Sequence, residues 1–311
     1  MMQRSRKPAA YGLLSLLLSS AALTLAAGCD RAALIEVTSR YVAAQSQGDI
    51  RYMSALAAST VYTENDQAAN ITAGILSKPL KIDHSRSIHD TAACATYTEL
   101  IVADPAHPYV IGTQQRLLPA TEQNGTRWSN SSAPSSAAAA AGLTLARVET
   151  IVTDAGDWLF NAQHTLHYAL LESWAPIPPD QRDARETIRA AGDAYLDLFR
   201  NGSGSVDVPW APDCKRLEGG LYTRPGDTCD SGVPSGVVHT NRRYVVDEVA
   251  GSVDIFLSFG GGDGNGTGLP DSHQFRVEKG RIRFVHTLTA CDVPNCGFGA
   301  PPEELGQDVG Y

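Results

Sequence analysis

Arg86-Ser-Ile-His-Asp90 runs on through Ala93-Cys94 to Leu100-Ile-Val102, and 157 residues later the chain repeats the pattern as Arg243-Tyr-Val-Val-Asp247, Ala250-Gly251 and Leu257-Ser-Phe259. Laid one on the other without a gap, the two stretches keep the Arg, the Asp, the Ala and the Leu. A helical pattern precedes each. Leu34, Val37, Tyr41 and Val42 recur at helix spacing before Gly48-Asp49, and Ile188, Ala191, Tyr195, Leu198 and Phe199 do so before Asn201-Gly202, at an offset of 154 residues. A third echo links Asp157-Trp-Leu-Phe160 and His164-Thr-Leu166 to Arg281-Ile-Arg-Phe284 and His286-Thr-Leu288. The common order predicts an internal duplication.

Each half reads as an N-terminal helix followed by hairpins. Val253, Ile255, Leu257 and Phe259 alternate with Asp254, Phe256 and Ser258, and Glu278-Lys279-Gly280 turns one strand back into Arg281–Leu288. Helices followed by strands predict an α+β fold, each half a curved antiparallel sheet wrapped on its N-terminal helix. The expected division is a signal segment over 1–28, a first half over 29–180 and a second over 181–311. Residues 129–142 of the first half form a Ser/Ala-rich insert without apolar periodicity.

Arg4, Arg6 and Lys7, the apolar run Leu13–Leu25 and the small residues Ala26-Ala27-Gly28 have the pattern of a cleaved secretory signal, too short to span a bilayer well. In an oxidising compartment the six cysteines read as a disulfide framework. Cys214 with Cys229 and Cys291 with Cys296 are local pairs, leaving Cys29 with Cys94 as a pairing by proximity. Asn70, Asn124, Asn130, Asn201 and Asn265 each open an Asn-X-Ser/Thr sequon, which favours a secreted glycoprotein. Ala26-Ala27-Gly28-Cys29 also passes as a loose lipobox, and a bacterial lipoprotein anchored at Cys29 is the alternative. The formal charge of −9 disfavours nucleic acid as a partner, and beyond residue 28 no apolar run is long enough for a membrane span.

The succession Ala33-Leu-Ile-Glu, Tyr41-Val, Gly48-Asp, Tyr62-Thr-Glu-Asn-Asp66 resembles the opening of NTF2-like (SnoaL-like) domains. Val208-Pro-Trp, Cys214-Lys-Arg-Leu-Glu-Gly-Gly-Leu-Tyr-Thr223, Asn241-Arg-Arg-Tyr-Val-Val-Asp-Glu248, Pro270-Asp-Ser-His-Gln-Phe-Arg276 and Val285-His-Thr-Leu288 are similar to segments of a family of secreted fungal proteins of uncharacterised activity. The resemblance implies duplicated NTF2-like domains, each with an apolar pocket between helix and sheet. Enzymes of that fold use Asp, His and Tyr there for dehydration, isomerisation or ring closure without a cofactor. The family supplies no catalytic residues to carry over.

The candidate catalytic set is His273, Asp271, Asp247 and His286, with Asp247 or Asp271 orienting His273 as a base. His273 alone has no counterpart in the first half. The competing structural reading puts His273 and Arg276 on a solvent face, pairs Asp247 with Arg243 and Asp90 with Arg86, and makes His286 a hydrogen-bonded fold position recurring at His164. Arg242 is a candidate anion holder; Trp158, Trp174 and Trp210 are candidate pocket walls. No metal site is expected. Asp263-Gly-Asn265-Gly-Thr267-Gly268 mimics half of a calcium loop but has Gln274 where Glu is needed, and His286 beside Cys291 and Cys296 is an incomplete zinc set. Two functions follow: a cofactor-independent dehydratase, isomerase or cyclase acting on a small apolar polyketide or terpenoid, or a non-catalytic extracellular protein that binds a small ligand or a partner.

Overall fold

The computed structural model describes residues 29–119, 142–202, 206–261 and 268–299. The signal segment, nearly all of the Ser/Ala-rich insert, Asn124, Asn130, Asn265 and most of the calcium-like loop lie outside the described residues.

Among the described residues there are three α-helices: α1 (Arg31–Gln47), α2 (Ala162–Leu171) and α3 (Arg185–Asn201). Asp30 caps α1 by accepting from the Ala33 N–H at 2.8 Å, and Gly48 ends it in the left-handed region at φ +60°. A Cβ on Gly48 would meet the Pro79 backbone at 2.6 Å, so this stop requires glycine. The first sheet contains β1 (Leu56–Glu64), β2 (Gln67–Ala68), β3 (His84–Asp90), β4 (Ala95–Val102), β5 (Tyr109–Pro119) and β6 (Leu143–Thr153). The second contains β7 (Trp210–Glu218), β8 (Leu221–Tyr222), β9 (His239–Asp247), β10 (Ser252–Phe259), β11 (Leu269–Glu278) and β12 (Arg281–Thr289).

The strand orders are β2-β1-β6-β5-β4-β3 and β8-β7-β12-β11-β10-β9, the same topology twice, as the duplication requires. One feature differs from the expected antiparallel sheets: β1 runs parallel to β6, and β7 to β12. The meander β3–β6 is antiparallel throughout, and β1 joins its last strand in the same direction; β7 joins β12 likewise. The third sequence echo is not structural. His164 and Leu166 lie on α2, whose first turn is capped by Asn161 accepting from the His164 N–H, and the counterpart of β12 is β6.

Three cores order the layers. Leu34, Val37 and Tyr41 of α1 pack on Leu100, Ile111 and Val148 of the first sheet, and Ile188, Tyr195 and Phe199 of α3 pack on Val253, Ile255 and Phe275 of the second. Between the sheets lies a third core drawn from both halves, with Ile88, Tyr97 and Ile101 against Val245, Phe256 and Leu288. The layers therefore run α1, sheet, sheet, α3, and α2 sits at the seam against β4, β5, β7 and β8. Every residue of β4 is buried, because each of its faces meets a layer. Asp254 and Ser258, at positions where alternation predicts solvent, instead face the partner sheet and are buried.

The halves are latched by a crossed pair of ion pairs. Arg31 at the start of α1 grips Asp247 with two bonds of 2.8 and 2.9 Å, and Arg185 at the start of α3 grips Asp90 with two of 2.7 and 2.6 Å. The backbone repeats the exchange. His89 N–H donates to Asp247 and Val246 N–H to Asp90, while Ala250 N–H and Ala93 N–H donate to the Asp of their own half. Three disulfides, Cys29–Cys94, Cys214–Cys229 and Cys291–Cys296, match the pairing read from proximity and are compatible with an extracellular location.

Candidate functional site

Successive residues of β11 point to opposite layers, so its neighbours Asp271 and His273 are separated from Ser272 and Gln274. Asp271, His273 and Phe275 face α3. The His273 Nδ1 lies 2.5 Å from Asp271 Oδ1, and Thr289 donates its hydroxyl to Asp271 Oδ2 at 2.6 Å. A carboxylate can only accept, so Nδ1 carries the proton of this bond. The rings of Tyr195, Phe199 and Phe275 surround the imidazole at centroid distances of 5.5, 6.1 and 6.1 Å. Burial pushes the Tyr195 hydroxyl up to about 12, with the Arg216 guanidinium beside it pulling the other way.

His239, on β9, completes this cluster. It packs between Phe199 and Phe259 at 4.7 and 4.6 Å. Apart from the Val238 backbone, neither ring nitrogen has a hydrogen-bond partner among the described residues, although the residue is buried. Burial, opposed by Asp271, lowers its pKa to about 4, so the ring is neutral at neutral pH. Thr287, opposite His273 on β12, also keeps a buried hydroxyl without a partner among the described residues. Unsatisfied polar groups of this kind are rare in packed interiors.

Strand register gives the first-half equivalents. Ile255 pairs with His273 and Thr98 with Thr113; Leu257 pairs with Asp271 and Leu100 with Ile111. The dyad is thus replaced by Thr113 and Ile111. There the space is closed by a hydroxyl chain in which Tyr41, Thr113 and Thr150 stand 2.7 and 3.0 Å apart.

The other predicted members of the catalytic set go elsewhere. Asp247 is held by Arg31 and three backbone N–H groups at the latch. It does not pair with Arg243, which binds Asp66 and Glu149, nor does Arg86 pair with Asp90. Four residues along a strand span about 13 Å, too far for a direct ion pair. His286 faces the partner sheet, on the opposite side from His273. It donates from Nδ1 to Glu99 at 2.9 Å and from Nε2 to Glu172 at 2.7 Å. Burial would lower its pKa, but Glu172 and Glu99 outweigh burial and raise it, which favours the charged ring between two carboxylates, against the opposing charge of Arg86. Burial likewise opposes ionisation of Glu99, yet Arg86 and His286 hold its carboxyl at about 2.

Arg276 is buried too, donating to the backbone of Ala250 and Ala175. Arg242 is tied to Asp193 and Asp197 at 2.8 Å each, at the edge of a cleft between the halves. Trp158 donates to Glu218 and packs on Phe298; Trp210 packs on Tyr195; Trp174 stacks on Arg86. Sequence reasoning missed Glu99, Glu172 and His239. Glu99 was legible as a lone acid directly before the apolar run Leu100-Ile-Val102, whereas Glu172 follows the end of α2 and His239 opens β9, where no periodicity marks them.

Fold and site together define a duplicated α+β protein whose second half carries the polar core. Residues 181–289, within that half, match a family model described as a domain of unknown function (DUF8021). Among solved structures the chain is similar to AclR from Streptomyces galilaeus, a protein described as a hydroxylase, at 13% identity and a TM-score of 0.27, covering 34% of this chain and 81% of that one. No curated protein matches.

Proposed function

We propose that the second half is an extracellular acid–base site that transforms a small apolar molecule without a cofactor, by dehydration, isomerisation or ring closure. The observation that carries this reading is the Asp271–His273 pair, present in one half and replaced by Ile111 and Thr113 in the other.

In this reading Nε2 of His273 takes a proton from an acidified C–H while Asp271 stabilises the imidazolium that forms. Tyr195, kept protonated by its raised pKa, and neutral His239 are the donors available to the oxygen that gains charge. For a dehydration the same proton returns to the departing hydroxyl, and water leaves. The first half serves as a rigid backing sheet.

The test is turnover of small polyketides and terpenoids by wild type, His273→Ala and Asp271→Asn, with folding checked by circular dichroism. Loss of about 10²–10⁴-fold in the folded variants is expected for removal of a general base. Undiminished turnover in both would sink the assignment. The His239 ring, with no side-chain hydrogen-bond partner among the described residues and an aromatic setting, also favours the second reading, a ligand-binding protein without catalysis. Saturable binding with no product from any bound compound would select it.

A further inference from the structure

On the seam between the halves, a cleft of about 370 Å³ is lined by Arg116, Arg147, Arg185, Arg242 and Arg243, with Gln114 and one acid, Glu149. Three of these guanidiniums are neutralised from behind: Arg185 by Asp90, Arg242 by Asp193 and Asp197, and Arg243 by Asp66. Arg147 stands 3.7 Å from Glu149, and exposed Arg116 has no ion pair among the described residues. Arg243 Nε makes a further ion pair with Glu149 at 2.9 Å. Arg116 and the loosely paired Arg147 are therefore the guanidiniums of this cleft available to an incoming anion.

The duplication shows what such a cleft accepts, because its counterpart on the other side of the molecule is filled. Register equates Arg243 with Arg86, Gln114 with Gln274, Glu149 with His286, Arg116 with Arg276 and Arg147 with Phe284. The filler is the chain itself, just after α2. The Glu172 carboxylate sits 2.7 Å from His286, the Trp174 indole lies over Arg86 at 3.8 Å and against Phe284 at 5.6 Å, and Arg276 donates to the Ala175 carbonyl at 2.9 Å. One groove is thus occupied by a carboxylate and a flat aromatic ring. The other offers a guanidinium platform at Arg243, with Arg147 where Phe284 stands and Glu149 where His286 stands.

We infer that the open cleft is a second ligand site, distinct from the Asp271–His273 site, that binds an aromatic carboxylate. The ring stacks on Arg243 as Trp174 stacks on Arg86, and the carboxylate is met by Arg116 and Arg147.

Titration calorimetry of the full secreted protein with indole-3-acetate tests this, with indole and acetate as the ring-only and charge-only probes. Saturable binding of indole-3-acetate, at least tenfold tighter than either fragment and weakened at least tenfold in Arg116→Ala/Arg147→Ala, is expected. These two side chains are exposed, and the double variant keeps its fold. Absence of saturable binding, or affinity unchanged in the double variant, overturns the inference. Binding that appears only after removal of residues 300–311 also overturns it, assigning the cleft to that acidic segment of the chain, which includes Glu303, Glu304 and Asp308.

Discussion

At the scale of single residues, the buried inter-sheet polar groups differ in what they ask of the solvent. Asp254 accepts from Gln114 at 2.6 Å and from Ser272 at 2.7 Å. Burial, reinforced by Glu99 and Asp271 and only partly offset by those two donors, raises its pKa to about 8. A carboxyl raised this way stabilises the fold fully below its unfolded pKa of 3.8, and that stability is lost as pH climbs through the folded value of about 8. Asp254→Asn keeps the shape and both bonds without the charge. Its melting temperature relative to wild type is expected to rise between about pH 5 and pH 9, read by calorimetry at each pH; a difference independent of pH would contradict a neutral Asp254. The sequence marked Asp254 only as the polar beat of an alternating strand, which ordinarily means solvent. Burial on both faces of β10 is a property of the stack of layers, and a single strand does not carry it.

Among elements, the crossed latch joins each helix start to the far sheet. Asp90 is fully buried, and its removal strands the Arg185 charge together with the N–H groups of Ala93 and Val246. Asp90→Ala is therefore expected to destabilise by about 3–5 kcal/mol, the range for breaking one side of a buried pair, measured by urea unfolding. Arg185→Met combined with Asp90→Leu is expected to be milder, because no lone charge remains. A double variant as unstable as the single one would point to packing rather than charge. The same duplication explains a backbone coincidence. Gly251 at φ +52° and Cys94 at φ +51° occupy the same turn, once with glycine and once with a residue anchored to Cys29. The Arg-x-x-x-Asp repeats announced that Asp90 and Asp247 matter. Their partners, Arg185 and Arg31, could not be found by local spacing, since each comes from the other half of the chain.

On the scale of the whole molecule, the inter-sheet core belongs to neither half. Ile88 and Tyr97 need Val245, Phe256 and Leu288 to leave water, and each buried side chain of this kind contributes about 1.5–3 kcal/mol. One cooperative transition is expected in calorimetry of the intact chain, and residues 29–180 or 181–311 expressed alone should expose that face and bind a hydrophobic dye. Two separable transitions, or dye-free halves, would show that the halves are independent domains. The sequon residues Asn70 and Asn201 are exposed and stand clear of this core.

The amino-acid sequence by itself determined the α+β class, the duplication, the cysteine pairing and the singularity of Asp271 and His273. Each is written in local periodicity, in proximity along the chain, or in one half compared with the other. Tertiary structure alone decided that His286 and Asp247 lie apart from Asp271 and His273, that Glu172 and Trp174 fill one groove, and that five arginines converge on the groove left open. Those assignments depend on which face of a strand meets which layer and on contacts between residues over 100 positions apart. Such contacts form only when two sheets pack, and no periodicity within either half encodes them.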